Sequence, residues 1–329
     1  MILNAGADDA GRRLDRILRK ALPDLPLSAI HRLLRQGKVI INGNTARKDH
    51  LVAAGARIEI LLQEKTIEEK TPAEKTIPKQ NNKAGEELLI LYEGNGLLVL
   101  NKPAGLAVHG YPDSLDIRVQ NYLTGRLPPS LSFKPGPLHR LDKPSSGIVV
   151  FGLSLEAARE FSVLLKTGKM HRSYLAIIEG RLEQEENWED MLFRDTTTQT
   201  TIIQNIVQNS DGKQPTPGKM QYALTHAAPL AWAEHKGAVY TYVNLELGTG
   251  RTHQIRAQAG SRGFPLAGDR KYGSSERYSS KGFFGRGFFL HAAELKLPVE
   301  VPAMKDVPSV IKAPLPEEFA VTLKELFGY

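Results

Sequence analysis

The chain has 329 residues, 41% of them hydrophobic, and a formal net charge of +7; at roughly 150 residues per domain, this length predicts two globular domains. The sequence contains no cysteine, which excludes disulfides, thiolate metal sites and cysteine nucleophiles and suits a cytoplasmic protein. Its apolar runs fall short of the roughly 18 residues that span a membrane, so we expect no membrane partner.

Residues 1–62 are predicted to form a small α/β domain with a basic surface, because they carry 11 basic and 6 acidic residues. Hydrophobic spacing, capping residues and turn residues predict its elements. In chain order they are a helix over 14–22, a helix from an N-cap at Ser28 to a terminal glycine at Gly37, a strand over 39–41 that leads into an Asn42-Gly43 hairpin turn, and a strand over 57–61.

Four basic side chains share the exposed faces of these two helices and the turn after them: Arg16, Arg32, Arg35 and Lys38. Any one of them alone is typical of a solvated surface, whereas two neighbouring helices with aligned basic faces favour a phosphate-rich partner. The order of the segments Arg13-Leu-Asp-Arg-Ile-Leu, Ser28–Val39, Ile41-Asn-Gly and Gly55–Ile60 resembles the RNA-binding domain of the small-subunit ribosomal protein S-four type. This resemblance covers nearly all of residues 10–62 and implies that the four basic side chains contact structured RNA.

Residues 63–87 differ in composition from both flanking segments. The triplet Glu-Lys-Thr recurs from Glu64, Glu69 and Glu74, and the segment has two prolines and no aromatic residue. Because such a segment cannot bury enough apolar surface to offset its ordering entropy, it predicts a flexible linker.

Residues 88–329 are predicted to form the larger domain. Apolar or alternating runs predict strands over 88–92, 96–101, 147–152, 174–178 and 240–247, and a helix capped by Ser154 that ends at Gly168. Strands outnumber helices and do not alternate regularly with them, which favours an α+β fold with a largely antiparallel sheet.

The larger domain lacks the sequence patterns of common cofactor sites. It has no Walker loop, no Gly-x-Gly-x-x-Gly that opens a helix, and no His-x-x-x-His pair. We therefore expect no cofactor and no metal. The Gly- and Phe-rich run over 282–287 lacks phosphate-loop spacing and is predicted to be a surface loop.

Two segments of this domain concentrate charged residues. Asp142 stands among three basic residues on a Pro- and Gly-bounded loop before a buried strand, where it fits both an Asx-turn cap and a carboxylate at the rim of a cleft. The segment Leu247–Arg256 holds two arginines, a histidine and a glutamine within six residues. Burying that many donors requires an anionic partner, which is a protein carboxylate, a phosphate or both.

These segments and their neighbours occur in the order of a known family: Asn101–His109, His139–Asp142 with Ser146-Gly147, Arg172–Gly180, Gly250–Arg256 leading to Gly268–Gly273, and Leu290–Ala292. By them the chain resembles an RluA-type pseudouridine synthase over about residues 88–300. The resemblance implies an α+β fold whose mixed, largely antiparallel sheet and flanking helices surround a central RNA-binding cleft. It also implies an enzyme, an isomerase that acts as a monomer on structured RNA, first of all large-subunit ribosomal RNA, with transfer RNA as the alternative.

The resemblance assigns roles to individual residues. Asp142 matches the catalytic aspartate, and the resemblance leaves open whether it attacks C1′, attacks the uracil ring or acts by proton transfer. Arg256 matches its arginine partner, which would keep the carboxylate ionised. Tyr174 matches the tyrosine that stacks on uracil, although spacing alone favours a core aromatic. The expected RNA contacts are Arg140, which would enter the RNA where the target base leaves the stack, His139, Arg251, His253 and Gln254, the last two as hydrogen-bonding residues rather than catalysts.

The chain departs from the family pattern at a few positions. Arg172 stands where lysine is usual, and Gln258 stands where a histidine is common. A serine replaces the usual threonine in the run Lys143-Pro144-Ser145-Ser146-Gly147. Two other functional classes stay open from the residues alone. A glycoside hydrolase would need a pair of acids, for which the motifs offer Asp142 and Asp269, and a non-catalytic RNA chaperone would need none.

Overall fold

A computed structural model describes residues 1–62, 87–203, 220–274, 287–298, 304 and 306–329. Tertiary contacts divide the chain into two compact units: Met1–Leu88, Gln120–Gly136 and Leu153–Glu156 form the first, and Leu89–Val119, Pro137–Gly152 and Ala157–Tyr329 form the second. Except for their last residues, the linker predicted over 63–87 and the surface loop predicted over 282–287 lie outside the described residues. No helix in the described ranges is long and apolar enough to cross a membrane.

The first unit is built on a four-stranded antiparallel sheet and two helices. Its elements are β1 (Ile2–Asn4), α1 (Leu14–Ala21), α2 (Leu27–Arg35), β2 (Val39–Ile41), β3 (Asn44–Thr45) and β4 (Arg57–Ile60), and a 3-10 turn covers Ala7–Asp9. The strand order is β1-β4-β2-β3. Leu14, Ile17 and Leu18 of α1 are buried against the apolar residues of this sheet, as their helical spacing predicts.

The turn and helix-end residues predicted in this unit are confirmed with one exception. Asn42 and Gly43 both have positive φ, at 48° and 85°, and they close the predicted hairpin between β2 and β3. Gly37 follows α2 at φ 68°, as expected for a helix-ending glycine. The prediction that Ser28 caps α2 is wrong, because the helix begins at Leu27, and Pro26, two residues before Ser28, occupies the N-cap with an extended backbone.

A buried carboxylate ties residues 129–132 into the first unit. Asp9 is fully buried and accepts hydrogen bonds from Gly6 N and Leu131 N, both at 2.9 Å, and from the hydroxyls of Ser130 and Ser132. Burial acts to raise the pKa of Asp9, but these hydrogen bonds outweigh it and lower the pKa. The carboxylate therefore stays charged although it is removed from solvent.

The rest of the chain holds one large sheet with helices beside it. Its strands are β5 (Ile90–Gly94), β6 (Leu97–Lys102), β7 (Gly136–Pro137), β8 (Ser146–Gly152), β9 (His171–Glu179), β10 (Glu186–Asp195), β11 (Thr200–Ile203), β12 (Gln221–His235), β13 (Ala238–Leu247), β14 (Leu290–Lys296) and β15 (Val310–Lys312). Its helices are α3 (Leu115–Leu123), α4 (Leu155–Thr167), α5 (Gln254–Ser261) and α6 (Glu317–Phe327), and a 3-10 turn covers Arg270–Tyr272.

The strand order of the large sheet confirms the α+β prediction. Nine strands run in the order β11-β10-β12-β13-β9-β14-β8-β6-β5, with β15 beside β14 and β7 beside β8. Among the described main pairings of this sheet, β14 with β8 is parallel and the others are antiparallel. Strands β6 and β8 are buried along their whole length, because they lie inside the sheet and carry apolar residues on both faces.

The parallel pair brings the start of β8 very close to β14. Gly147 has φ 105°, and a Cβ at this position would lie 2.2 Å from the carbonyl oxygen of Ala292. Beside it, the Ser146 hydroxyl and His291 Nδ1, both buried, are 2.9 Å apart. Only glycine therefore fits at the residue that joins the Asp142 loop to the sheet.

We expect Gly147→Ala to lower the free energy of unfolding by about 2–5 kcal/mol, because it adds an unfavourable φ to a backbone clash. The matched control is Gly168→Ala, at φ 67° with open space around a Cβ, for which a loss of about 1–2 kcal/mol is expected. Denaturant unfolding measures both. Equal losses for the two variants would contradict the close approach of β8 and β14.

Candidate active site

A cleft of ≈ 840 Å³ in the second unit is lined by six of the eight site residues that the sequence singles out in the larger domain. Its lining includes Asp142, Tyr174, Arg140, His139, Arg251 and His253. The segments that supply them come from the loop before β8, from β9, and from the turn between β13 and α5. The fold thus brings together groups that lie more than 100 residues apart in sequence.

Asp142 is a carboxylate at the rim of this cleft rather than the cap of a turn. Its side chain is 25% exposed, and its charged neighbours are Arg256 Nη1 at 2.9 Å and His253 Nε2 at 3.7 Å. The loop is held through its backbone instead, because Ser145 N donates to Asp142 O and Gly105 N donates to Lys143 O. Both oxygens of Asp142 therefore face side chains of the turn before α5 and of α5 itself.

Arg256 connects two carboxylates. Its Nε and Nη2 donate to the two oxygens of Asp269 at 2.6 and 2.9 Å, and its Nη1 donates to Asp142. The guanidinium also lies 4.8 Å from the ring centre of Tyr272 and 4.4 Å from that of Phe288. Burial acts to lower the pKa of Arg256, but the two carboxylates outweigh it and raise the pKa. The anionic partners predicted for this arginine-rich segment thus include two protein carboxylates.

Asp269 has no free oxygen to offer as a second catalytic acid. It is 2% exposed, and both of its oxygens accept hydrogen bonds from Arg256. A glycoside hydrolase needs its two carboxyl groups on opposite sides of the scissile bond. Since Asp142 and Asp269 bind the same guanidinium, the geometry does not support that alternative.

Lys102 supports the loop that carries Asp142. Its side chain is fully buried, and its ammonium donates to the carbonyls of Pro103, Leu106 and Lys143 at 2.9, 2.8 and 3.3 Å. An ammonium group has three protons, so these three acceptors satisfy it completely. Burial lowers the pKa of Lys102 to about 7, while the charge of Asp142 acts in the opposite direction. The sequence motif contained this residue, but nothing in the motif indicated its burial.

Tyr174 belongs both to the core and to the cleft. It is 7% exposed, it packs in the main apolar cluster, and its side chain lines the cleft. Burial raises the pKa of Tyr174, so its hydroxyl is protonated at neutral pH. A core position and a place in the lining of the cleft are therefore compatible for this residue.

His139 and Arg140 are neighbours with different surroundings. His139 is half-buried, stacks on Phe161 with 6.0 Å between ring centres, and accepts a hydrogen bond from Val150 N. Burial, followed by the charge of Arg172, lowers the pKa of His139 to about 4, so the ring is neutral. Arg140 is exposed, with Nη1 3.3 Å from His109 Nε2. Of the two, only Arg140 offers a cation to the cleft.

Gln254 and Gln258 on α5 are buried and bonded within the protein. Gln254 accepts hydrogen bonds from Thr249 Oγ1 and Arg251 N and donates to Leu224 O and Thr225 Oγ1. Gln258 donates to Trp188 O and Asp190 and accepts from Thr225. These amides hold the turn before α5 on the sheet. Arg251, in contrast, is exposed and donates from Nε to the carbonyl of Tyr222.

His253 precedes α5 in a left-handed conformation at φ 53°. Its Nδ1 lies 2.8 Å from the Tyr272 hydroxyl and 3.4 Å from Arg194 Nη1. That hydroxyl accepts a hydrogen bond from Thr201 N, so its own proton is available to Nδ1. With two donors facing Nδ1, we assign the ring proton to Nε2, on the side of Asp142. Burial lowers the pKa of His253 to about 4, and the neutral ring therefore presents an N–H to the carboxylate.

The first unit carries the other four residues that the sequence predicts to bind RNA. Arg16, Arg32 and Arg35 are exposed and Lys38 is half-buried. Arg35 also lines a pocket of ≈ 810 Å³ together with His31, Arg47 and Lys48. Arg47 and Lys48 follow β3, and the sequence did not indicate them because no helical periodicity includes them. In the parts of the chain that the structure describes, no group of three or more histidines, aspartates and glutamates could hold a metal ion.

We expect Arg256→Met to lower the free energy of unfolding by about 3–5 kcal/mol, because it leaves the buried Asp269 charge without a partner. Asp142 is partly exposed and water can solvate it, so most of the loss is assigned to Asp269. The double variant Arg256→Met with Asp269→Asn should therefore regain half of this loss or more, as followed by denaturant unfolding. If the second substitution lowers stability further, the pairing of Asp269 with Arg256 is not the source of the loss.

Comparison with known proteins identifies the family of the chain. The family model described as RNA pseudouridylate synthase matches residues 96–261, which include Asp142, Tyr174 and Arg256. "Ribosomal large subunit pseudouridine synthase C" of Salmonella typhimurium is 31% identical over 303 residues, 90% of this chain and 88% of that protein. The protein with this name from Vibrio vulnificus is 30% identical over 332 residues, 99% of this chain and 96% of that protein.

A solved structure supports the fold. Human RNA Pseudouridylate Synthase Domain Containing 4 aligns with a TM-score of 0.55 and 24% identity, over 72% of this chain and 92% of that one. The family model covers about half of the chain, and the curated relatives cover most of it. The chain therefore belongs to the RNA pseudouridylate synthase family, whose members are isomerases that convert uridine into pseudouridine in RNA.

Proposed function

We propose that this RNA pseudouridine synthase isomerises specific uridines of large-subunit ribosomal RNA, and that Asp142 is its catalytic residue. The observation that carries the catalytic assignment is the Asp142 carboxylate at the rim of the cleft, held by Arg256 at 2.9 Å. The names of the curated relatives support the choice of ribosomal RNA. The protein is proposed to act as a monomer, with transfer RNA as the alternative substrate.

The proposed reaction conserves all atoms of the nucleotide. The bond between N1 of uracil and C1′ of ribose breaks, the base turns, and C5 bonds to C1′ while its proton leaves and N1 gains one. No electrons are gained or lost. The chain must therefore supply an ionised carboxylate, a pocket that holds the free base, and groups that keep the flipped nucleotide in place.

Each of these tasks fits a group in the cleft. Arg256 and His253 position Asp142, because Arg256 Nη1 donates a hydrogen bond to one of its oxygens at 2.9 Å and His253 Nε2 lies 3.7 Å from the other. Tyr174 is proposed to stack on uracil through the face of its ring that lines the cleft. Arg140, which is exposed beside Asp142, is proposed to enter the RNA as the base leaves the stack. His139 and Gln254 are proposed to act on the RNA indirectly, by positioning Arg140 and the turn before α5.

The test of the proposal is to treat ribosomal RNA and transfer RNA transcripts with the purified full chain and to map pseudouridine at single-nucleotide resolution. Modification of a few uridines in large-subunit ribosomal RNA supports the proposal. Modification of transfer RNA alone would favour the alternative, and binding without any modification would indicate a non-catalytic chaperone.

We expect Asp142→Asn to lower the single-turnover rate by about 10⁴-fold or more, because it removes the charge with little change in volume. RNA affinity and the unfolding midpoint should stay close to those of the unmodified chain. Asp306→Asn, an exposed aspartate, is the matched control. Product formation by the Asp142 variant within tenfold of the control would refute the catalytic assignment.

The basic side chains of the first unit are proposed to bind RNA. Replacing Arg16, Arg32, Arg35 and Lys38 with glutamine should weaken RNA binding and reduce its salt dependence, by about 0.7–0.9 in slope for each phosphate group that the variant no longer neutralises. The rate at saturating RNA should be unchanged. The control replaces four exposed basic residues of the second unit: Arg159, Lys236, Lys312 and Lys324. An equal reduction of the slope in the control would show that only the total charge matters.

A further inference from the structure

Arg172 lies in the cleft without a protein anion. It precedes Tyr174 by two residues on β9, and its side chain lines the same cleft as Asp142. Its Nε is buried and has no hydrogen-bond partner among the described residues, and no ion pair of its guanidinium is found in them. None of the catalytic tasks assigned to the cleft uses this residue.

Two other guanidinium groups of this unit that are buried or half-buried have carboxylate partners. Arg256 binds Asp142 and Asp269, and Arg262 binds Asp190 at 2.9 Å. A guanidinium shielded from water loses several hydrogen bonds, and this loss is unfavourable unless an anion replaces them. Arg172 therefore has the chemistry of a group that is completed by an anionic ligand entering the cleft.

The position of Arg172 indicates which part of an RNA substrate it meets. Side chains at i and i+2 of a strand point to the same face and are about 7 Å apart along it. This spacing is comparable with the distance between a nucleobase and its own phosphate group. When uracil stacks on Tyr174, a phosphate of the same nucleotide comes within reach of Arg172.

The opposite wall of the cleft leaves room for the guanidinium. A Cβ at Gly250 would lie 2.7 Å from Arg172 Nη1, closer than atoms pack. Gly250 belongs to the turn that also carries Arg251 and His253. Glycine at this position therefore leaves room for the Arg172 guanidinium against the turn.

We propose that Arg172 binds the phosphate of the target nucleotide while its uracil occupies the site beside Tyr174 and Asp142. This inference rests on the proposed function, because it assumes that the flipped uridine enters this cleft. A planar guanidinium donates two parallel hydrogen bonds to a phosphate, which an ammonium cannot do. The arginine that replaces the family's usual lysine thus fixes the orientation of the nucleotide as well as its charge.

The test combines protein and RNA substitutions. The RNA is a short fragment around a uridine that the full chain modifies, and each phosphate near that uridine is replaced in turn by a neutral methylphosphonate. Affinity is measured in the Asp142→Asn background to prevent turnover, and single-turnover rates are measured with Asp142 present. The protein variants are Arg172→Met, Arg172→Lys and, as a charge-matched control, Arg181→Met, whose side chain pairs with Glu183 and Trp232.

At one phosphate, we expect the effect of the methylphosphonate on RNA binding to disappear when Arg172 is replaced by methionine. The methylphosphonate next to the target uridine should weaken binding to the unmodified chain by about 10-fold to 100-fold, as a charge-assisted hydrogen bond predicts. It should have almost no further effect on Arg172→Met, and an intermediate effect on Arg172→Lys. The Arg181→Met control should respond to each methylphosphonate as the unmodified chain does.

The variant Gly250→Ala tests the position of the Arg172 guanidinium separately from its charge. It keeps the guanidinium but pushes Nη1 aside, so its response to the same methylphosphonate should fall below that of the unmodified chain. If Arg172→Met responds to every methylphosphonate as the control does, binding of the phosphate by Arg172 is refuted. Should the unmodified chain form no pseudouridine in any RNA, the proposed function itself fails, and this outcome is distinct because it precedes the phosphate scan.

Discussion

The buried guanidinium of Arg256 is the group on which the proposed active site depends. It makes two hydrogen bonds to Asp269, which is 2% exposed, and one to Asp142, which is 25% exposed. The more buried carboxylate fixes the arginine, and the arginine in turn positions the more accessible carboxylate. This division of roles explains why a site with only one accessible acid nevertheless contains two carboxylates. Removing either partner from such a buried pair leaves an uncompensated charge, which is far more costly than the pair itself.

The rest of the fold brings three distant segments to this guanidinium. The loop with Asp142 is fixed by the close approach at Gly147 and by the buried ammonium of Lys102. Helix α5 carries Arg256 and is held on the sheet by amide hydrogen bonds of Gln254 and Gln258. Tyr272, three residues after Asp269, contacts Arg256 with its ring and His253 with its hydroxyl. Backbone carbonyls, amides and one aromatic ring thus support the charged groups around Asp142.

The sequence predicted the apolar strands from their local periodicity and the hairpin at Asn42-Gly43 from its turn residues. It predicted the residues of the cleft from the order of their motifs. It did not predict β10, in which acidic residues such as Glu189 and Asp190 stand among the apolar ones and obscure the strand pattern. Nor could it predict which acid pairs with Arg256 on its buried side. Asp269 lies 13 residues away beyond the end of a helix, and no periodicity relates the two positions. The start of α2 was misplaced because Pro26 and Ser28 both favour a helix N-terminus, and the structure places the cap at the proline.

The central claim is that Arg256 acts on Asp142 and not on the RNA. The most direct test is the release of tritium from C5 of the target uracil, measured in a single turnover at saturating RNA with Arg256→Lys. The lysine variant keeps the positive charge but lacks the planar fork that binds Asp269 with two donors and Asp142 with a third, so Asp142 loses its position. We expect a rate about 100-fold below that of the unmodified chain even when all RNA is bound. A variant that releases tritium at the unmodified rate once the RNA is saturating would contradict it, because Arg256 would then contribute only affinity for RNA.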